Sequence, residues 1–359
     1  MRFLVLALLG MAIAIRASFF AISVTHLPIT HDESVMFLQA KWLHNGSHPA
    51  GAFPWLMAAT PYEAPIESYL MALYYPLLPH TAFGARIQGF IFGLLVVLAS
   101  LAIYRKMDRL RTVWPGLLLF LFPSAYFMEL QIGSMPHTNS ILLWCCAAAL
   151  LFVIASDSSG RRRYLCLGGA GFFAGFAFSD QMMTLSFVMA LLFAVCVGRN
   201  RRDTLPSLGA FLPGLLVGLM PFLIGYFKYP GAHAAVAGIS IKQAQHMWRA
   251  LFSDTLPGAL GIAPKLNPDF HHSYSIGPAW LSPVFGYFYA ALLLIAIGLC
   301  TYCLVKRVIS EKWPRLELNE VFVAASLAAL VMFAFSVRSQ AISQRYLLLL
   351  VWCFPFLLG

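Results

Sequence analysis

Apolar runs long enough to cross a bilayer recur along this 359-residue chain, and nothing else in it constrains the fold so tightly. A helix needs about 20 predominantly apolar residues to cross a hydrocarbon core of roughly 30 Å. On that basis the sequence contains about ten spans, near residues 3–24, 83–104, 112–128, 138–156, 164–179, 183–198, 204–226, 281–304, 320–336 and 345–359. The expected fold class is all-α, a polytopic transmembrane helical bundle forming a single integral-membrane domain over residues 1–359. Ala12-Ile13-Ala14 has the small-residue pattern of a signal-peptide cleavage site, but the apolar run continues past Arg16, so the first run is read as a retained span.

Composition excludes a soluble fold, because 60% hydrophobic and 11% charged residues leave more apolar surface than a water-soluble core can use. In a soluble protein a net charge of +10 would suggest nucleic acid or acidic partners; here its placement matters more, and no nucleic-acid partner is expected. Arg105, Lys106, Arg109 and Arg111, then Arg161 to Arg163, then Arg199, Arg201 and Arg202, then Lys306, Arg307, Lys312 and Arg315 make up 14 of the 24 Lys and Arg. All lie in four short connections, which the positive-inside rule assigns to the cytoplasm. Both termini then lie inside. Two long outer connections remain, about residues 25–82 and 227–280, with short outer turns near 129–137, at Asp180 and at 337–344.

All ten histidines fall in these outer segments, as do Asp32, Glu33, Glu63, Glu67, Glu129, Asp180, Asp254 and Asp269. Ligand-type and titratable side chains are concentrated on one face, so chemistry is expected there. The seven cysteines all lie inside expected spans and imply no external disulfide framework. Cys300-Thr301-Tyr302-Cys303 has redox-motif spacing, but on an apolar helix such thiols are expected to be buried small hydrophobes.

The adjacent carboxylates Asp32 and Glu33 follow the first span directly. Thr30-His31-Asp32-Glu33 is a capping box opening an apolar run, and Thr60-Pro61-Tyr62-Glu63 repeats the device with Pro at the first helical position. Two amphipathic surface helices are therefore expected in the first outer loop. Glu33 and Glu63 fit a capping role and Asp32 a first-turn position favoured by the helix dipole. A helix start also holds a carboxylate rigidly, which a general base requires, so local sequence leaves both roles open. His271 and His272 are adjacent and point to different sides of an extended chain, a weak metal signal. Arg338 and Arg345 precede the last span, where an arginine either snorkels or holds a phosphate by bidentate hydrogen bonds.

Several pieces, in this order, resemble the C-type superfamily of membrane glycosyltransferases, which includes protein O-mannosyltransferases and aminoarabinose transferases acting on lipid A. They are the Arg-bearing first span, His31-Asp32-Glu33-Ser34, the segment Pro61 to Leu70, Gly84-Ala85-Arg86 at the second span, the glycine-rich Gly168 to Gly175 followed by Asp180-Gln181, and Arg345-Tyr346-Leu347-Leu348. The resemblance implies inverting transfer of a sugar from a polyprenyl-phosphate carrier to an acceptor hydroxyl, with Asp32 as base and Glu33 positioning a substrate. It departs from the family pattern at Met135-Pro136-His137, where a histidine stands in place of an expected acid. The site candidates are thus Asp32 and Glu33, with Arg345 and Arg338 for the donor phosphate, Glu63, Glu67, His137 and Asp180 around the cavity, and His271 and His272 as weak metal ligands.

The chemistry agrees with this. No inner loop is long enough to hold a nucleotide-binding domain, and the outer face has no nucleotide pool, so a lipid-anchored donor suits an outer site. The expected location is the inner or plasma membrane, with membrane lipids and a glycan, lipid or protein acceptor as partners. No cofactor is specified, though a divalent metal ion is compatible with a leaving phosphate. A transporter or flippase is the alternative, but transporters carry ionisable residues within spans or paired broken helices, and here Arg16 is the main intramembrane charge. A non-catalytic lipid-binding subunit is a third reading, in which Asp32 is only a cap.

Overall fold

Helices account for every regular element described in the computed structural model, which covers residues 2–26, 29, 31–47, 66–107, 137–197, 201–228 and 318–336, short pieces between 291 and 310, and Trp352. They are α1 (Arg2–His26), α2 (His31–His44), α3 (Ile66–Tyr74), α4 (Ala82–Lys106), α5 (His137–Ser156), α6 (Gly160–Asp180), α7 (Leu185–Val197), α8 (Arg201–Lys228) and α9 (Leu318–Ser336). Short 3-10 turns over Tyr75–Leu77 and Met182–Thr184 precede α4 and α7. The protein is an all-α polytopic membrane protein.

Seven of these helices, α1 and α4 to α9, coincide with expected spans to within four residues at each end. Four are long and apolar enough to cross a bilayer by length and composition, over Leu6–His26, Ala82–Lys106, Asn139–Ser156 and Asp203–Lys228. The run 112–128 lies outside the described residues, as does 345–359 apart from Trp352, and 281–304 is described only in pieces. The two short helices expected before the second span are α2 and α3. The second begins at Ile66, and Thr60 to Pro65, with the capping box there, lie outside the described residues.

The helices pack as a chain of neighbours, α1 on α4, α4 on α5, α5 on α6 and α6 on α8, with α7 against α8 and α9. The closest of these contacts, α6 with α8, is made by glycine. Gly171 and Gly175 face α8 and Gly214 and Gly218 face α6, each pair four residues apart. A Cβ on Gly171 would fall 2.2 Å from the carbonyl oxygen of Phe211, and one on Gly214 would fall 2.0 Å from that of Gly168. Lipid tails give two apolar helices no hydrophobic reason to associate, so close backbone packing through small residues takes that role. Ser179 adds a hydrogen bond across the pair, its hydroxyl donating to the Gly218 carbonyl at 2.9 Å. Elsewhere large rings fill the core: Phe187 of α7 stacks on Phe322 of α9, and Trp352 meets both edge-on.

Charge sorts to the two ends of this bundle. At one end Lys106 pairs with Asp157 at 3.3 Å and Arg163 with Asp203 at 3.4 Å, joining the C-terminus of α4 to that of α5 and the N-terminus of α6 to that of α8. The α5–α6 connection there is tight, and Gly160, at φ 58°, supplies its left-handed residue. The opposite end gathers the C-terminus of α1, the N-termini of α2, α4 and α5 and the C-terminus of α6, and it holds buried Glu33, Glu67, Arg86, Gln88, Asn139, Ser140 and Asp180. Cys303, expected from the apolar character of its helix to be a buried small hydrophobe, is instead exposed, while Cys145 and Cys146 are buried.

Helices α2 and α3 form a small unit at this acidic end around Met36, Ala40, Met71 and Tyr75. Histidines stitch it together: His44 Nδ1 lies 3.1 Å from the Ala72 carbonyl, and His80 Nε2 lies 3.0 Å from the Tyr75 hydroxyl. These two rings therefore have structural partners.

Candidate functional site

A buried arginine organises the acidic end. Arg86 sits near the start of α4, and its guanidinium meets the Glu33 carboxylate in a bidentate fork, Nε donating to Oε1 at 2.7 Å and Nη2 to Oε2 at 2.9 Å. Side-chain exposure is 2% for Arg86 and 1% for Glu33. The remaining amino group, Nη1, donates to the Ser23 carbonyl at 2.5 Å. Ser23 is in the last turn of α1, whose final carbonyls have no partner within their own helix. One side chain thus ties together the end of α1, the start of α2 and the start of α4. Isolated in a low-dielectric interior, either charge would cost several kcal/mol, roughly, so the pair holds only in this geometry, which fixes the α2 start.

Glu33 occupies the first turn of α2, as the Thr-x-x-Glu pattern expects, and both its oxygens are engaged by Arg86. The capping signal located the helix start, while the carboxylate serves a tertiary contact. Asp32 lies one residue earlier in the same first turn. Its side chain, like those of His31 and His137, is outside the described part of the structure. Anchoring Glu33 fixes the backbone on which Asp32 is carried.

Next to this pair, α3 and α4 are joined through Gln88. Its amide nitrogen donates to the Glu67 carbonyl at 3.1 Å, and its amide oxygen accepts from the Tyr74 hydroxyl. The Glu67 side chain is itself buried. Burial raises the Tyr74 phenol above its ordinary range, and the Glu67 carboxylate raises it further. Burial also pushes Tyr69 up to about 12. Both phenols therefore stay protonated at neutral pH.

On the far side, α5 is pinned between two helices. Asn139 Nδ2 donates to the Gly89 carbonyl of α4 at 2.7 Å. Asp180, at the C-terminus of α6, accepts on one carboxylate oxygen from the Ser140 hydroxyl and, at 3.1 Å, from the Trp144 indole N–H. Asp180 ends α6 at the turn into α7, and its side chain is fully buried between α5 and α6.

The structure thus brings Glu33, Glu67 and Asp180 to one end of the bundle, together with the backbone positions of Asp32 and His137. Glu63, Arg338, Arg345, His271 and His272 lie outside the described residues. Among the described residues no three His, Cys, Asp or Glu side chains converge as a metal site. Sequence reasoning singled out none of Gln88, Asn139, Ser140 and Trp144, and it noted Arg86 only as part of a motif. The available signal was position, since polar residues in the first two turns of a membrane helix have few partners other than one another.

Residues 62–226 match the family model described as dolichyl-phosphate-mannose-protein mannosyltransferase. The matched stretch, a little under half of the chain, is similar to a C-type membrane glycosyltransferase. That stretch takes in Glu67, Arg86, His137 and Asp180, and it begins after Asp32 and Glu33. A crystal structure of the Archaeoglobus fulgidus oligosaccharyltransferase in complex with zinc and sulfate superposes with a TM-score of 0.51 at 15% identity, over 97% of this chain and 48% of that one. At that identity the likeness is one of fold, and the chain spans about half the length of the archaeal protein. No curated protein matches the chain.

Proposed function

We propose that the protein is an inverting glycosyltransferase that moves a sugar from a polyprenyl-phosphate carrier to an acceptor hydroxyl at the extracytoplasmic face of the cell's inner or plasma membrane. The observation that carries this is the buried Glu33–Arg86 pair, which holds the first turn of α2, and so the backbone of Asp32, at the acidic end of a C-type bundle. The bands of Lys and Arg at the opposite end support the orientation, with that end in the cytoplasm.

In this reading Asp32 is the base. It takes the acceptor proton as the hydroxyl oxygen attacks the anomeric carbon, the bond from that carbon to the phosphate oxygen breaks, and polyprenyl phosphate leaves with the electron pair. Inversion follows from attack opposite the leaving group. Glu33 acts as a positioning residue through Arg86, and Arg345 and Arg338 are the proposed cations for the departing phosphate.

Release of free polyprenyl phosphate from a panel of labelled polyprenyl-phosphate sugars, in liposomes that also contain crude acceptor membranes, tests the reading. The expected result is release by wild type with one donor and none by Asp32→Asn. Folded wild-type protein that releases nothing from any donor would overturn it and favour a transporter or lipid-binding subunit.

A further inference from the structure

A second buried carboxylate is built on the same plan as Glu33. Asp180 closes α6, at the negative pole of that helix, where an acid is disfavoured, and it is fully buried. Apolar contact already runs along the α5–α6 pair, through Leu167, Ala170, Ala174 and Ala177 of α6 and Leu142, Cys145 and Ala149 of α5, so cohesion of the two helices does not call for a charge there. What the carboxylate adds is position. It takes hydrogen bonds from Ser140 and Trp144, one turn apart on α5, while adjacent Asn139 binds the Gly89 carbonyl of α4. The first turn of α5 is clamped from both sides, directly behind His137, the first residue of that helix.

We propose that Asp180 is a positioning residue for sugar transfer, which through Ser140 and Trp144 holds the start of α5, and with it His137, at the acidic end of the bundle. The proposal rests on the transferase reading above and adds His137 to the groups on which the reaction depends. Just as Arg86 fixes the turn carrying Asp32 by gripping Glu33, Asp180 fixes the turn carrying His137 by gripping Ser140 and Trp144. Two helix starts, on α2 and α5, are thereby set in one frame.

The test is a mutant cycle on the full chain in liposomes, read by polyprenyl phosphate release and by hydrogen exchange of residues 137–144. Asp180→Ala is expected to lower kcat by about 10- to 100-fold, the usual loss for a supporting shell, with the donor KM changed much less. Asp180→Asn keeps an oxygen that accepts both hydrogen bonds and recovers most of the rate. In a His137→Ala background, Asp180→Ala then costs little more, because the two act as one unit. Exchange in the first turn of α5 rises in Asp180→Ala and not in Asp180→Asn.

Fully additive losses from Asp180→Ala and His137→Ala, or an unchanged kcat in Asp180→Ala, would overturn the proposal, and so would unchanged exchange. If Asp180→Ala does not fold, Ser140→Ala and Trp144→Phe, which each remove one hydrogen bond, replace it in the cycle under the same criteria. Wild type inactive with every donor overturns the transferase reading and the catalytic half of this proposal together, while the exchange data still decide the clamp.

Discussion

Arg86 grips both carboxylate oxygens of Glu33 across 53 residues of chain, and its third nitrogen group takes a carbonyl at the end of α1. The pair sets the position of the α2 start more than it adds stability, because desolvation offsets much of the attraction between two buried charges.

Removing one partner should therefore cost far more than removing both. Arg86→Met leaves Glu33 buried without its cation and should destabilise the fold by about 3–5 kcal/mol, whereas Glu33→Met with Arg86→Met should recover much of that loss. Thermal unfolding in detergent would measure both. The double variant should remain a poor enzyme, since nothing then holds the turn that carries Asp32. A double variant as active as wild type would remove the pair from the mechanism.

Asp32→Asn should behave in the opposite way, with the same melting temperature as wild type and a rate lower by about 100- to 10,000-fold, the range for loss of a general base. Donor consumption and melting measured on one preparation separate this outcome from misfolding. Full activity in Asp32→Asn would assign the acid to the helix start alone.

The glycine contact between α6 and α8 has no room for a side chain. Gly171→Leu or Gly214→Leu should abolish folded protein, because even the first added carbon would lie about 2 Å from a backbone oxygen that cannot move without its helix. Gly10→Ala, with nothing within 4 Å, is the matched control and should be neutral. Monodisperse yield from size-exclusion chromatography would rank the three.

The proposed orientation can be read with a membrane-impermeant thiol reagent. Ser159 lies in the α5–α6 turn at the basic end, and Ser47 follows α2 at the acidic end; both are exposed. Ser47→Cys should be labelled in intact cells, and Ser159→Cys only after lysis. The reverse pattern would place the acidic end in the cytoplasm.

The positions of the helices were legible in the sequence because lipid makes the rule simple. A backbone crossing the hydrocarbon must satisfy its own hydrogen bonds, so length and apolarity alone give α1 and α4 to α9. The start of α2 was also legible, from local chemistry, in Thr30 to Glu33. What Glu33 does there was not, because a capping signal is the same whether its carboxylate turns back to the backbone or reaches a distant arginine.

Apolar periodicity and the banding of Lys and Arg by themselves determined an all-helical membrane bundle with more than half of its Lys and Arg in a few short connections. Only the tertiary structure decided the pairings, Glu33 with Arg86, Gln88 with Tyr74 and the Glu67 backbone, and Asp180 with Ser140 and Trp144. The physical reason is range. Span length and charge placement are properties of contiguous sequence, whereas a buried polar side chain is satisfied by whichever partner the packing of other helices brings within about 3 Å, and that partner can lie anywhere in the chain.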